Sequence, residues 1–266
     1  MQILDVLLLL SEQVVIFPKT KAALRPIMDA YERMTGFPDA VGAVDGSIFR
    51  LERPFEYEGF AILALQLDFA PHPFSSWICR KGFAAINMQA TVDHKCKFME
   101  YSLRPGSCSD KNVWTMSNLG QNSRSLVPPD CHLLGDACYT LTEQLLTPYA
   151  IYDGMPTDEK RYNRQHSRTR IVVERAFGLL KGRWRVLKRT LNMKTPQSAA
   201  RTIVAAMVLH NLTIDCGDTV SFPPADIGDP FLSQHVHINY RNRAAEREAA
   251  IIKRDYIKEY LMTLNL

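Results

Sequence analysis

Between His166 and Arg189 the chain reads HSRTRIVVERAFGLLKGRWRVLKR. Val173, Ala176, Phe177, Leu180, Trp184 and Leu187 recur at three- and four-residue spacing, the period of one helix face. Ile171, Val172, Leu179 and Val186 widen that face on both flanks. What remains is a narrow polar stripe of Arg170, Glu174, Gly178, Lys181 and Arg185. A helix that is apolar over so much of its circumference is packed on most sides. From Lys160 to Arg201 there are 13 Lys or Arg residues and a single acid, Glu174. A lone carboxylate in such surroundings serves as an ion-pair partner for Arg170 or Lys181, or it has a chemical task.

With 266 residues and 46% hydrophobic content, the chain is one large domain or one domain with appendages. The net charge is only +4, so the basic block is offset elsewhere, and such asymmetry points to a polyanionic partner on one face. A solvated basic helix is the plain alternative. The six cysteines are scattered with no C-x-x-C pair, which predicts reduced thiols and offers no zinc spacing. Met1–Leu10 is apolar but carries Asp5 and lacks a basic leader. It is expected to be a packed helix, not a signal peptide or a membrane span.

In chain order, residues 1–36 predict helices broken at Pro18. Val41–Leu51, VGAVDGSIFRL, predicts a buried strand with Gly46 allowing close approach beside Asp45. Phe83–Asp93 alternates cleanly and predicts a second strand, turning at Asp93-His94-Lys95 into a third at Cys96–Leu103. Asp110 reads as the N-cap of a helix over Lys111–Asn118. Cys131–Leu134 predicts a short strand stopping at Gly135-Asp136, Leu141–Leu146 a helix, and Tyr152–Asp158 a polar loop before the basic helix. Ser198–Ile214 is an apolar helix holding His210, expected to be a hydrogen-bonded core histidine. Ser221–Pro230 reads as a linker and Arg241–Leu264 as a last amphipathic helix. The order predicts an α/β mixed sheet flanked by helices.

Asp45 and Asp136 each end an apolar run, which places them at an end of the sheet if their strands lie side by side. Glu174 would supply a third carboxylate from a helix packed on that sheet. Three acids held together repel one another unless divalent cations neutralise them. Their hard oxygens suit Mg²⁺ or Mn²⁺, and such a site acts on phosphodiesters. The cations of the basic helix would hold the backbone phosphates.

Six stretches make the reading more specific: VGAVDGS around Asp45, RKGFAAINMQATVDHKCKF at Arg80–Phe98, RPGSCSDKNVW at Arg104–Trp114, LLGDACYTL around Asp136, LLTPY at Leu145–Tyr149, and RYNRQHSRTRIVVERAFGLLKGRWRVL at Arg161–Leu187. Together and in this order they resemble the DDE-superfamily endonuclease domain of PIF/Harbinger transposases and the nucleases derived from them. The resemblance covers roughly Phe37 to Asp215 and gives a domain at 37–215, between an N-terminal helical segment at 1–36 and a linker with a helix at 216–266. It implies a ribonuclease-H-like fold, DNA as substrate and catalysis with Mg²⁺ or Mn²⁺ held by Asp45, Asp136 and Glu174. Arg170, Lys181, Arg185 and His166 are the expected DNA contacts. It further implies a nuclear protein working with a Myb-like or SANT-like partner; the chain itself is compatible with an oligomer, and no membrane is expected. The alternative is a domesticated, catalytically silent protein that binds DNA or a partner.

The chain departs from that family's pattern at several places. Ile48 stands where members often carry His, and Cys138 where Gly usually precedes the Tyr. Should that position need φ > 0, the Cys would displace the loop beside Asp136. Asp110 matches a family acid, although a helix cap is the favoured reading. Ala61–Ile78, AILALQLDFAPHPFSSWI, separates words that the family joins closely. The segment at 61–78 is expected to be extra to the fold, against a competing reading of Ile62–Phe69 as an edge strand.

Overall fold

The computed structural model describes residues 3–52, 74–193, 195–218 and 244–264. Helices α1 (Ile3–Val14) and α2 (Lys21–Thr35) lead into strand β1 (Ala40–Arg50). Thr20 Oγ1 caps α2 by accepting from Ala23 N at 3.2 Å, and Gly36 ends it at φ 75°. A short helix α3 (Phe74–Trp77) precedes β2 (Ala85–Val92) and β3 (Phe98–Pro105). Three small helices follow, α4 (Asp110–Met116), α5 (Asn118–Gln121) and α6 (Ser123–Leu126). Then come β4 (His132–Leu134), β5 (Leu145–Leu146), α7 (Thr157–Arg183), a 3₁₀ turn at Arg185–Lys188, α8 (Pro196–Asp215) and α9 (Ala244–Thr263).

The five strands form one sheet in the order β3-β2-β1-β4-β5. β1, β2 and β3 are an antiparallel meander, while β4 and β5 run parallel to β1. This is the expected mixed sheet flanked by helices, with a topology consistent with the ribonuclease-H-like fold. The meander turns where expected: Asp93 Oδ1 accepts from Lys95 N at 2.8 Å and Lys97 N at 2.9 Å, and Cys96 takes φ 66°. Every residue of β2 and β3 is buried, so both faces of the sheet are covered.

Period-two alternation divides the chemistry between those faces. Asn87 and Gln89 look towards α4, since their amides bond to Cys108 O and Asp110 O. Asp45 and Ser47 look towards α7, where they meet Arg170 and Lys181. Gly46 pairs with Gln89 and lies on the α4 side.

Three sequence-based expectations change. Leu145–Leu146 is a strand, not the end of a helix: Gly135 N donates to Leu146 O at 3.0 Å, and Leu133 N to Gln144 O at 2.8 Å. A run this short satisfies its backbone better in a ladder than as a helix with too few turns. Helix α7 begins nine residues before His166, at Thr157, with Asp158 and Glu159 in its first turn. It ends at Arg183, and the residues after Trp184 tighten into the 3₁₀ turn.

Most of the segment at 61–78 lies outside the described residues, as does the expected linker at Ser221–Pro230. The last residues of 61–78 are described and packed: Trp77 is 2% exposed, Ser107 N donates to Ser76 O at 3.0 Å, and Ile78 bridges Ala84. Helix α9 packs along α7. Its Lys253 ammonium donates to Pro129 O, Cys131 O and Glu143 O at 2.7–2.9 Å, and Arg254 stacks 3.8 Å over the Tyr149 ring. Among the described residues no helix is long and apolar enough to cross a membrane.

Candidate active site

Strand β1 runs on past its neighbour. Its pairing with β4 ends at Ala43↔Leu134, and Leu191 takes up its far end at Leu51. Continuing the parallel register two residues beyond Leu134 brings Asp136 level with Asp45. Helix α7 crosses the same end of the sheet and carries Glu174 on its site-facing side. The three acids picked from the sequence therefore come to one place. Asp45 Oδ1 accepts from Gly46 N at 2.8 Å, and Asp136 Oδ1 from Cys138 N at 2.9 Å.

A fourth carboxylate lies near Asp136, on the other face of β1 from Asp45. Asp110 is not the N-cap of α4: Ser109 is, with its Oγ accepting from Asn112 N at 3.3 Å. Asp110 is the first residue inside the helix, and its carboxylate lies against β1 at Gly46. Asn87 Nδ2 holds it at 3.0 Å. The buried Asn87 Oδ1, lying beside Gly46, has no hydrogen-bond partner. Sequence reading noted this acid but preferred the cap. Ser109, one residue earlier, caps as well as an Asp does, so the sequence alone leaves either residue as the cap.

Mutual charge supports the convergence. The Tyr139 hydroxyl accepts from Gln89 Nε2 at 2.8 Å, and its pKa is raised first by burial and then by the charges of Asp45, Asp110 and Asp136. Burial pushes Asp45 up to about 6; Arg170 opposes this, and Asp136 and Glu174 add to it. Asp136 is likewise raised by burial, with Arg170 opposing and Asp110 adding.

Two of the four expected phosphate contacts are elsewhere engaged. His166 is 1% exposed, stacked on Tyr162, with Nε2 3.2 Å from Leu146 O; burial pushes its pKa down to about 3. It is a core histidine, because the apolar face of α7 is wider than the sequence pattern suggested. Arg170 is 6% exposed and sits among the acids: Nη1 donates to Asp45 Oδ2 at 2.9 Å and Nη2 to Glu174 Oε1 at 2.5 Å. The bland reading of Glu174 as a partner of Arg170 is thus part of the geometry. Lys181 Nζ donates to Ser47 Oγ at 2.7 Å and Ile48 O at 3.0 Å, and lies 4.4 Å from the Phe49 ring centre. Burial, with Lys81 nearby, lowers its pKa to about 8. Arg185 is exposed on the 3₁₀ turn. His210 is a core residue as expected, with Nε2 2.9 Å from Cys96 O.

Cys138 does not strain the loop beside Asp136. Among the described residues only Asp39 and Cys96 are non-glycine residues at positive φ. Asp45, Asp136 and Glu174 offer hard carboxylate oxygens, the ligand chemistry of a divalent-metal site. Among the described residues, no three His, Cys, Asp or Glu side chains are already arranged to hold one ion. The Arg170 guanidinium stands between two of the candidates.

The chain is 29% identical over 242 residues to the mouse protein named "Putative nuclease HARBI1", covering 89% of this chain and 64% of that one. The human protein of the same name is 26% identical with the same coverage. The Arabidopsis thaliana protein named "Protein ALP1-like" is 26% identical over 261 residues, covering 91% of this chain and 58% of that one. The chain thus spans less than two thirds of the length of these relatives. No solved structure matches it. The family described as DDE superfamily endonuclease matches residues 44–211, from the strand of Asp45 into α8, and the chain belongs to that family.

Proposed function

We propose that this chain is a divalent-metal-dependent DNA endonuclease of the Harbinger transposase type. One observation carries the reading: Asp45 on β1 and Glu174 on α7 share the Arg170 guanidinium, and Asp136, just past β4, is near enough for its charge to act on Asp45. Mutual repulsion makes such a cluster costly unless cations share it. Asp45, Asp136 and Glu174 would hold Mg²⁺ or Mn²⁺. Bound there, such ions supply charge stabilisation for a phosphodiester undergoing hydrolysis or strand transfer. Lys181, fixed beside Ser47, and Arg185 on the rim would hold the flanking phosphates.

The test is nicking of supercoiled plasmid with Mg²⁺ or Mn²⁺. Asp45→Ala, Asp136→Ala and Glu174→Ala should each abolish it, and chelation should abolish it in the wild type. Undiminished nicking by any one variant would remove that residue from the set. The resemblance to Harbinger transposases points to a Myb-like or SANT-like partner for nuclear entry and site recognition. Co-immunoprecipitation and nuclear imaging test that assignment.

One observation favours the second reading, a catalytically silent DNA- or partner-binding protein. Arg170 already neutralises two of the acids. Calorimetric titration with Mn²⁺ separates the readings, because a silent site has no need to bind metal at millimolar concentration.

A further inference from the structure

Arg170 reaches across from α7 to bridge two carboxylates far apart in sequence, Asp45 on β1 and Glu174 one turn along its own helix. Its forked geometry uses one terminal nitrogen for each acid. The guanidinium is therefore in the place between the strand and the helix that a shared divalent ion would take. Its charge also acts on Asp136.

A metal ion entering between Asp45 and Glu174 must displace this cation. The displaced guanidinium is buried and cannot be left without an anion. A substrate phosphate is the anion that such a site would hold, and a planar fork of N–H donors matches phosphate oxygens as well as it matches carboxylates. The same group can thus neutralise the acids when no metal is present and the phosphate when metal is.

We infer, resting on the metal-nuclease reading, that Arg170 is the resident counter-ion of the metal-free site and transfers to a DNA phosphate when divalent metal binds, coupling the two ligands. Metal alone binds weakly because it competes with a tethered cation. DNA relieves the competition by accepting the arginine. Linkage makes the effect reciprocal, so metal tightens phosphate binding by the same factor. Arg170 is a positioning residue in this scheme, and its effect is read in binding and not in rate alone.

The experiment is calorimetric titration of Mn²⁺ into wild type, Arg170→Gln and Arg170→Lys, with and without a short phosphorothioate duplex that resists cleavage. In the wild type, the duplex should tighten Mn²⁺ binding at least about fivefold. Arg170→Gln should bind Mn²⁺ alone at least about fivefold tighter than wild type and gain little from the duplex. Arg170→Lys keeps a charge but cannot bridge two acids, so it should lose much of the coupling. It decides the matter should the Gln variant fail to fold by circular dichroism. Unchanged Mn²⁺ affinity in the folded variants, or coupling equal to wild type, overturns the counter-ion role while leaving the metal site standing. Failure of wild type and folded variants alike to bind Mn²⁺ overturns the metal-nuclease reading and this inference with it.

Discussion

The carboxylate of Asp110 fills the space in which any residue but glycine at position 46 would carry its first side-chain carbon. An ideal Cβ on Gly46 would stand 2.2 Å from Asp110 Oδ1 and 3.4 Å from Asn87 Oδ1. The glycine of the VDGS word is there to admit an acid from another element, not to permit an unusual backbone angle.

Gly46→Ala should therefore push Asp110 off its bond from Asn87. We expect nicking to fall by about 100-fold or more, the scale of a misplaced catalytic group. Stability should fall by about 1–3 kcal/mol from overpacking. Asp110→Asn should reduce nicking as much with little loss of stability, because Ser109 and not Asp110 caps α4. Plasmid nicking and thermal melts read the two effects separately. Wild-type nicking by Gly46→Ala would exclude Asp110 from the site's work.

Lys181→Met keeps an apolar stem against Phe49 and removes the ammonium. DNA binding should weaken, and the slope of log K against log salt should become shallower by about 0.9 for each lost phosphate contact. The Lys181 pKa is lowered to about 8, so its charge is lost as pH rises through that value. Wild-type binding should therefore weaken between about pH 7 and 9 more than that of Lys181→Met. Arg185→Ala should shallow the salt slope without changing the pH response. Fluorescence anisotropy across salt and pH checks both.

Glu100 provides a pH test of the fold away from the site. It is buried on β3 with Oε1 unpartnered, and burial pushes its pKa up to about 7 from an ordinary 4.5; the Leu119 amide and Arg104 oppose this. The folded state thus keeps a proton that the unfolded state releases, and stability on this account declines as pH rises from 4.5 to 7. Glu100→Gln should remove that decline and gain on the order of 1–3 kcal/mol at pH 8, shrinking to nothing near pH 4.5. His210, with its pKa lowered to about 4 by burial, acts oppositely: its contribution is present above pH 6.5 and lost as pH falls towards 4. Urea denaturation at several pH values measures each limb.

The last residues of the 61–78 segment, Ser76 to Ile78, are packed into the fold. Trp77 is buried beside Gly106, where a Cβ would meet Trp77 O at 2.7 Å. Trp77→Ala should cost about 3–5 kcal/mol. Deleting 61–73 should leave the chain folded, whereas deleting 61–78 removes the tryptophan and should unfold it. Circular dichroism of the two deletions decides. Loss of fold in the shorter deletion would make the whole segment structural.

Local pattern carried much of this. Strict alternation from Ala84 to Val92, the Asp93 turn and the apolar run around Asp45 gave the meander, because strand period and turn chemistry are properties of neighbouring residues. Helical spacing found α7, α8 and α9 but not the start of α7, since polar residues in a first turn look like loop. β5 was hidden because two leucines carry no period at all, and only the ladder against β4 makes them a strand.

By itself the sequence determined the mixed α/β architecture, the family, two acids at the ends of apolar runs and a third, Glu174, on the polar stripe of a helix. Only the tertiary structure decided that Asp110 lies against Gly46, that His166 belongs to the core and that Arg170 faces the carboxylates instead of solvent. The reason is physical: a residue's period says which face of its own element it lies on. What it meets there depends on which other elements are packed against that face. Here a bare glycine on one strand admits Asp110, and a forked cation on one helix holds Asp45 and Glu174 together.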